Sequence, residues 1–157
     1  MTSAAFVDKL NEQLGHEFGA HQQYVAIAAF YDAQTMPRMA ALFYDQAAEE
    51  RDHAMMMVQY LLDAGETPRI PALPAPVGAF ADVVEPVRAA LEQERKVTEQ
   101  VNELTRIARA DGDFASEQFM QWFIREQVEE VAKMGDLLAV VTRAKDDVDR
   151  IEDWGAR

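Results

Sequence analysis

A carboxylate and an imidazole interrupt an otherwise apolar helical stripe in the first half of this chain. Glu50 and His53 stand one helical turn apart. The residues that share their seam are large and apolar: Met39, Phe43 and Met57. Such a seam faces the core of a helical bundle, where an unpaired ion costs several kcal/mol. The pattern therefore predicts a buried charged site that needs a partner.

Four long segments have helical periodicity, and prolines, glycines and capping residues mark their limits. We predict long helices over about 3–34, 37–64, 82–111 and 113–143, and a short fifth helix over 147–154. Asp82 and Glu85 resemble a capping box at the start of the third helix.

The segment 65–81 carries four prolines, which exclude a helix and favour an extended, solvated connection. The turns at 34–37 and 111–113 are short, so the helices they join must be antiparallel neighbours. The predicted fold is all-α: a four-helix bundle with one long crossover between helices two and three, and a short C-terminal fifth helix.

The length of 157 residues suits a single domain over 1–157. The chain has no cysteine, which excludes thiolate metal sites and disulfides. A formal net charge of −13 opposes nucleic acid and anionic membrane as partners. The N-terminus does not resemble a secretory signal and no stretch is long enough to span a bilayer, so we expect a cytoplasmic protein.

Each of the four helical seams is apolar at its ends and polar near its midpoint. Side-by-side helices of similar length bring their midpoints to one depth, so these polar groups should converge: Glu17, Glu50, His53, Glu94, Gln127 and Glu130. Protons could balance part of this charge through raised pKa values, but lysine and arginine are absent from the midpoints and divalent cations fit better. Ligands without sulfur suit iron or manganese, with zinc as a competitor, and several carboxylates suffice to bridge two metals.

Three acidic residues flank the seams: Glu49, Glu126 and Glu129. A solvated face is the default interpretation for them, and a third, looser cation site is the alternative. For His21 we favour a hydrogen-bonded core or interface histidine over a metal ligand.

Taken together, these residues resemble the ferritin family, specifically the bacterial non-haem ferritins. The similarity spans nearly the whole chain and is carried by four stretches: HEFGAHQQYVAIA, QAAEERDHAMM, LEQER and GDFASEQFMQWFIREQVEEV. It implies a ferritin-like bundle with two irons in each subunit at a ferroxidase centre. Glu17, Glu50 and His53 would hold the first iron.

The same resemblance assigns Glu94, Gln127 and Glu130 to the second iron, with Glu50 bridging the two. Glu49, Glu126 and Glu129 match positions that bind a third iron in similar proteins. Tyr24 would form a hydrogen bond near the centre and supply an electron. The implied reaction is oxidation of Fe(II) by dioxygen or peroxide, with ferric oxyhydroxide stored inside a hollow 24-subunit homo-oligomeric cage.

Departures from related patterns narrow this expectation. Bacterioferritins carry a second Glu-x-x-His on the fourth helix, where this chain has Gln127 and Glu130, and their haem-ligating methionine is replaced by Arg51. Haem is therefore not expected. The C-terminal segment DDVDRIEDWGAR is short and acidic, unlike the more apolar fifth helix common in the family.

Two other functions use the same bundle. A di-iron oxidase or peroxidase would act on a small substrate with fixed irons, and a purely structural bundle would hold no metal. A DNA-protecting mini-ferritin is disfavoured by the acidic charge and by ligands that lie within one bundle.

Overall fold

The computed structural model describes residues 2–156. It contains five helices: α1 (Ala4–Ala33), α2 (Pro37–Asp63), α3 (Glu85–Ala110), α4 (Phe114–Arg143) and α5 (Val148–Gly155). The predicted all-α fold is confirmed, and residues 2–156 contain no strand. Within the described residues, no helix combines the length and apolar character needed to cross a membrane.

Helix ends follow the expected local chemistry. Ser3 and Asp113 each accept a hydrogen bond from a backbone N–H of the first turn, at the starts of α1 and α4. Gly65 and Gly112, which follow α2 and α3, have φ values of 79° and 67°, which glycine adopts without strain.

The start of α3 differs from its prediction by about three residues. Asp82 Oδ1 accepts hydrogen bonds from the backbone N–H groups of Val84 and Glu85, each at 2.9 Å. Glu85 in turn accepts from Ala81 N at 2.5 Å. The capping groups are therefore those expected, but residues 81–84 form bends and the helix begins at Glu85.

The crossover runs parallel to α1 and is held by side chains of that helix. Asn11 Oδ1 accepts from Arg69 N at 2.7 Å, and Tyr31 Oη donates to Val83 O at 2.6 Å. Between them, the Gln23 amide exchanges two hydrogen bonds with the backbone of Val77. The crossover thus returns the chain to the end of the bundle where α2 began, and α2 and α3 run in the same direction.

The fifth helix packs against α2 and α4. Met36, which precedes α2, has no side-chain oxygen to cap the helix, and the side chain of Glu152 caps it instead. Its two carboxylate oxygens accept from Arg38 N and Met39 N, each at 2.9 Å. The acidic tail therefore caps α2 at a helix N-terminus, where negative charge is favourable.

The apolar core consists of two clusters, one at each end of the bundle. One includes Tyr31, Phe43 and Leu137; the other includes Phe6, Leu104 and Met120. The predicted polar residues lie in the layer between these clusters, which we call the waist.

Candidate metal centre

All six residues predicted to converge at the waist are buried there. Glu17, Glu50 and Glu94 are each 1% exposed and Glu130 is 4% exposed. His53 and Gln127 are also buried. Each sits on the core-facing side of its helix because the apolar seam on either side of it packs into the bundle.

Ligand-capable atoms at the waist form three overlapping groups, each with its atoms within 4.8 Å of one another. The groups are Glu17–Glu50–His53, Glu50–Glu94–Glu130 and Glu49–Glu126–Glu130. Glu50 belongs to the first and second groups, and Glu130 to the second and third. A carboxylate shared in this way has two oxygens to offer to adjacent cations.

The first group is centred on His53. Its Nδ1 lies 3.3 Å from Glu50 Oε2 and 3.8 Å from Glu17 Oε2. The imidazole ring packs edge-on against Trp122 and Phe123, which fixes its plane. Among residues 2–156, no donor reaches Glu17 Oε2, although this atom is buried. A buried carboxylate oxygen without a donor fits a position that a cation occupies.

In the second group, hydrogen bonds from two other helices hold Glu94. Tyr24 Oη donates to Glu94 Oε1 at 2.5 Å, and Gln127 Nε2 donates to Glu94 Oε2 at 3.1 Å. Gln127 Nε2 also contacts Glu94 O and Thr98 Oγ1, each at 3.2 Å. In this arrangement Gln127 directs its nitrogen at Glu94, so its amide orients a carboxylate of the second group.

The third group differs from the predicted third site in one member. Glu49 and Glu126 come together as expected, but their partner is Glu130. Glu129 is exposed and joins none of the groups formed by residues 2–156. Glu130 lies on the seam and faces the bundle, whereas its neighbour Glu129 is turned about 100° around the helix toward solvent.

Burial raises the pKa of three of the carboxyl groups, and neighbouring charges add to the effect. The pKa of Glu94 rises to about 8 through burial and the charge of Glu50. That of Glu130 rises to about 7 through burial and the charge of Glu49. Burial, followed by the charge of Glu50, raises the pKa of Glu17 well above its usual range. The metal-free centre therefore retains protons that a cation must displace.

The pKa of Glu50 is lowered and that of His53 is raised because each group stabilises the charged form of the other. Burial acts to raise the pKa of Glu50, but hydrogen bonds with His53 and Glu17 outweigh it and lower that pKa. Burial acts to lower the pKa of His53, but the hydrogen bond and charge of Glu50 outweigh it and raise that pKa. Among Glu17, Glu50, Glu94 and Glu130, only Glu50 has a lowered pKa, and it is shared by the first and second groups.

Several contributors at the waist were not predicted. Gln13 Nε2 donates to Glu17 Oε1 at 3.2 Å, and Gln46 Nε2 donates to Glu50 Oε1 at 3.2 Å. Both glutamines lie four residues before a predicted ligand, and that spacing is a signal that points to them. Lys133 also reaches the waist, where no lysine was expected, and its Nζ lies 2.8 Å from Gln46 Oε1.

His21 and Tyr24 lie close to their expected places. His21 Nδ1 is 2.7 Å from Ala47 O, which matches a hydrogen-bonded interface histidine. Burial, followed by the charge of Glu94, raises the pKa of Tyr24 well above its usual range, so its phenol stays protonated and remains a donor.

The donor set consists of carboxylate oxygens and one imidazole, which is the combination that iron and manganese prefer. All four long helices contribute a buried carboxylate to the waist, and α2 carries a Glu-x-x-His pair. This combination is typical of four-helix bundles that bind metal ions through carboxylates.

Comparisons with known proteins narrow that class. Residues 7–144 match the ferritin-like domain family. The chain is 49% identical over 148 residues to the ferritin BfrB of Mycobacterium tuberculosis, covering 94% of this chain and 82% of that protein. It is 37% identical over 147 residues to a bacterial non-haem ferritin of Staphylococcus saprophyticus, covering 94% of this chain and 88% of that protein. The chain belongs to the ferritin family.

A solved structure is similar over the same extent. The open-pore ferritin of the archaeon Archaeoglobus fulgidus superposes with a TM-score of 0.95 at 26% sequence identity. The alignment covers 99% of this chain and 96% of that one. The short fifth helix is included in the matched length.

Proposed function

We propose that this protein oxidises Fe(II) at the waist of its bundle and stores the product as ferric oxyhydroxide. The observation that carries the proposal is the sharing of Glu50 between the groups Glu17–Glu50–His53 and Glu50–Glu94–Glu130. Two ligand groups with a common carboxylate can hold two cations side by side. The ferritin relatives described above support iron as the substrate.

In this proposal the first Fe(II) binds Glu17, Glu50 and His53, and the second binds Glu50, Glu94, Gln127 and Glu130. Each iron would give up one electron, and the two electrons would reduce dioxygen to hydrogen peroxide with the uptake of two protons, or reduce hydrogen peroxide to two water molecules with the same uptake. The protons held by Glu17, Glu94 and Glu130 leave when the cations bind. Gln127 and Tyr24 orient Glu94, and we propose that Tyr24 would also donate an electron to the oxidant, in addition to the two that the irons supply.

The group Glu49–Glu126–Glu130 is the proposed third iron position. Glu49 and Glu126 are half-buried, so this position opens toward solvent more than the other two. Because Glu130 belongs also to the second group, it offers a ligand to iron that moves between them.

The proposal extends to a homo-oligomeric cage of 24 subunits in the cytoplasm, with the mineral inside. Size-exclusion chromatography with light scattering tests the cage directly. A monomer or dimer that oxidises iron without retaining it would instead fit a di-iron oxidase or peroxidase that acts on a small substrate.

Anaerobic loading with Fe(II) followed by air tests the reaction. We expect dioxygen consumption and retention of far more iron than the waist can ligate. Glu50→Gln should abolish rapid oxidation because both groups lose their shared ligand, whereas Glu99→Gln, which makes the same change at an exposed glutamate outside the three groups, should not. Equal rates in the two variants, or a wild-type protein that binds no iron, would contradict the proposal.

A further inference from the structure

Gln46 is fully buried beside the candidate centre, and three charged or ionisable groups surround its amide. Its Oε1 accepts a hydrogen bond from Lys133 Nζ at 2.8 Å. Its Nε2 donates to Glu130 Oε2 at 2.5 Å and to Glu50 Oε1 at 3.2 Å. One amide on α2 therefore connects a lysine of α4 to two carboxylates of the second ligand group.

Only one orientation of the amide satisfies these neighbours. An ammonium group has donors and no acceptor, and the ionised carboxylate of Glu50 has acceptors and no donor. The amide oxygen must therefore face Lys133 and the amide nitrogen must face Glu50 and Glu130. The reverse orientation would set donors against donors and acceptors against acceptors, so Lys133 selects the orientation that serves the carboxylates.

The two oxygens of Glu50 have different neighbours. Its Oε2 faces His53 Nδ1 at 3.3 Å in the first group, while its Oε1 accepts from Gln46. The first group has a separate amide, Gln13, which donates to Glu17 Oε1. A change at Lys133 therefore acts, through Gln46, on Glu50 Oε1 and Glu130 Oε2 and not on the Glu50 oxygen that faces His53.

We propose that Lys133 and Gln46 form a positioning pair that sets the second metal position, with neither residue acting as a ligand. The inference rests on the proposed function, since it assumes that cations bind at the waist. Lys133 orients the Gln46 amide, and the amide holds Glu50 and Glu130 in register across the gap between α2 and α4. Because Gln46 is 0% exposed, bulk water cannot take over the donor role of the lysine.

Anaerobic titration with Zn(II), which has no redox chemistry, separates the two binding steps by calorimetry. We expect Lys133→Met to weaken the second step about tenfold and to leave the first unchanged, in line with the usual effect of removing a group that orients a ligand. Lys133→Arg keeps a cationic donor and should recover most of the loss. Lys145→Met, which removes the same charge at an exposed position after α4, is the matched control.

A double-mutant cycle with Gln46→Met tests the connection between the two residues. If Lys133 acts through the amide, Lys133→Met should have no further effect on the second step in the Gln46→Met background. Additive effects of Lys133→Met and Gln46→Met on the second binding step would overturn the proposed positioning pair. So would an unchanged second step in Lys133→Met, or an equal loss in both steps. If Gln46→Met does not fold, Lys133→Met and Lys133→Arg still test whether Lys133 affects the second binding step.

The outcomes also distinguish this inference from the function on which it rests. If the wild-type protein binds two Zn(II) ions and Lys133→Met binds the second ion with the same affinity, the positioning pair alone is overturned. Wild-type protein that binds no pair of Zn(II) or Fe(II) ions would overturn the proposed function and the positioning pair together.

Discussion

Tyr24 on α1 donates its phenolic hydrogen to Glu94 on α3, with 2.5 Å between Tyr24 Oη and Glu94 Oε1. The other oxygen of Glu94 accepts from Gln127 on α4. Both oxygens of this carboxylate are therefore oriented by residues from other helices before any cation binds. Such preorientation lowers the cost of assembling a ligand set.

Replacing Tyr24 with phenylalanine should weaken this arrangement without disturbing the ring, which packs against Phe43. We expect the metal-free protein to lose about 1–2 kcal/mol of unfolding free energy, because a buried carboxylate oxygen loses its donor. Fe(II) oxidation should slow as Glu94 becomes less well oriented. Chemical unfolding and stopped-flow absorbance measure the two effects. Tyr44→Phe, at a residue that is 42% exposed, should change neither.

Raising the pH should destabilise the metal-free protein. The folded-state pKa values of Glu94, about 8, and Glu130, about 7, exceed the ordinary value of 4.5 that applies to the unfolded chain. The folded state therefore binds more protons than the unfolded state between these limits, so the contribution of these groups is present below about pH 4.5 and is lost as the pH rises toward 8. His53, whose folded-state pKa is also raised, changes stability in the same direction.

Denaturant unfolding in the presence of a chelator, at a series of pH values from about 5 to 8, measures this dependence. Glu94→Gln should flatten it, because an amide has no proton to lose. Saturation with a divalent cation should flatten it as well and raise the unfolding free energy, by about 2.7 kcal/mol at a free concentration of 100 times Kd. A chelated wild-type protein whose stability rises over this pH range would refute the prediction.

Gln127→Glu tests whether the amide keeps the second metal position weak. The present amide donates to Glu94 and offers no negative charge, whereas a glutamate would add a charged ligand beside Glu94 and Glu130. We expect the variant to hold oxidised iron longer at the waist, because the added carboxylate favours a trivalent cation. Mössbauer or absorbance measurements of iron leaving the centre would show the difference. Release as fast as in the wild-type protein would count against this role.

The cap that Glu152 provides to α2 should also be measurable. Glu152→Ala removes two hydrogen bonds to the backbone N–H groups of Arg38 and Met39. We expect a loss of about 1 kcal/mol of unfolding free energy, typical of a missing helix cap. Asp153→Ala, at a neighbouring side chain that is 82% exposed, should cost much less. Thermal unfolding of the two metal-free variants gives the comparison.

The bundle and most of the waist were predictable because they depend on periodicity. The apolar seam of each helix must face the core, and each seam carries an acid near its midpoint. Packing the four seams together therefore brings Glu17, Glu50, Glu94 and Glu130 to one depth. The crossover followed in the same way from its prolines, which prevent a helix and leave an extended chain.

What the sequence did not predict depends on how far long side chains reach. Lys133 lies off the seam of α4, and only the three-dimensional structure shows that its flexible stem carries the ammonium to Gln46. The choice between Glu129 and Glu130 in the third group also depends on the direction of each side chain, since the two residues are adjacent in sequence.

The waist is a layer of buried polar side chains that separates the two apolar clusters of the interior. Without cations, we expect the two ends of the bundle to be only weakly coupled through the waist. Each end can then unfold locally without the other. Hydrogen exchange of the chelated protein should therefore show two protected regions with separate opening free energies. Bound cations would tie all four helices together at their midpoints and make the two regions open as one cooperative unit.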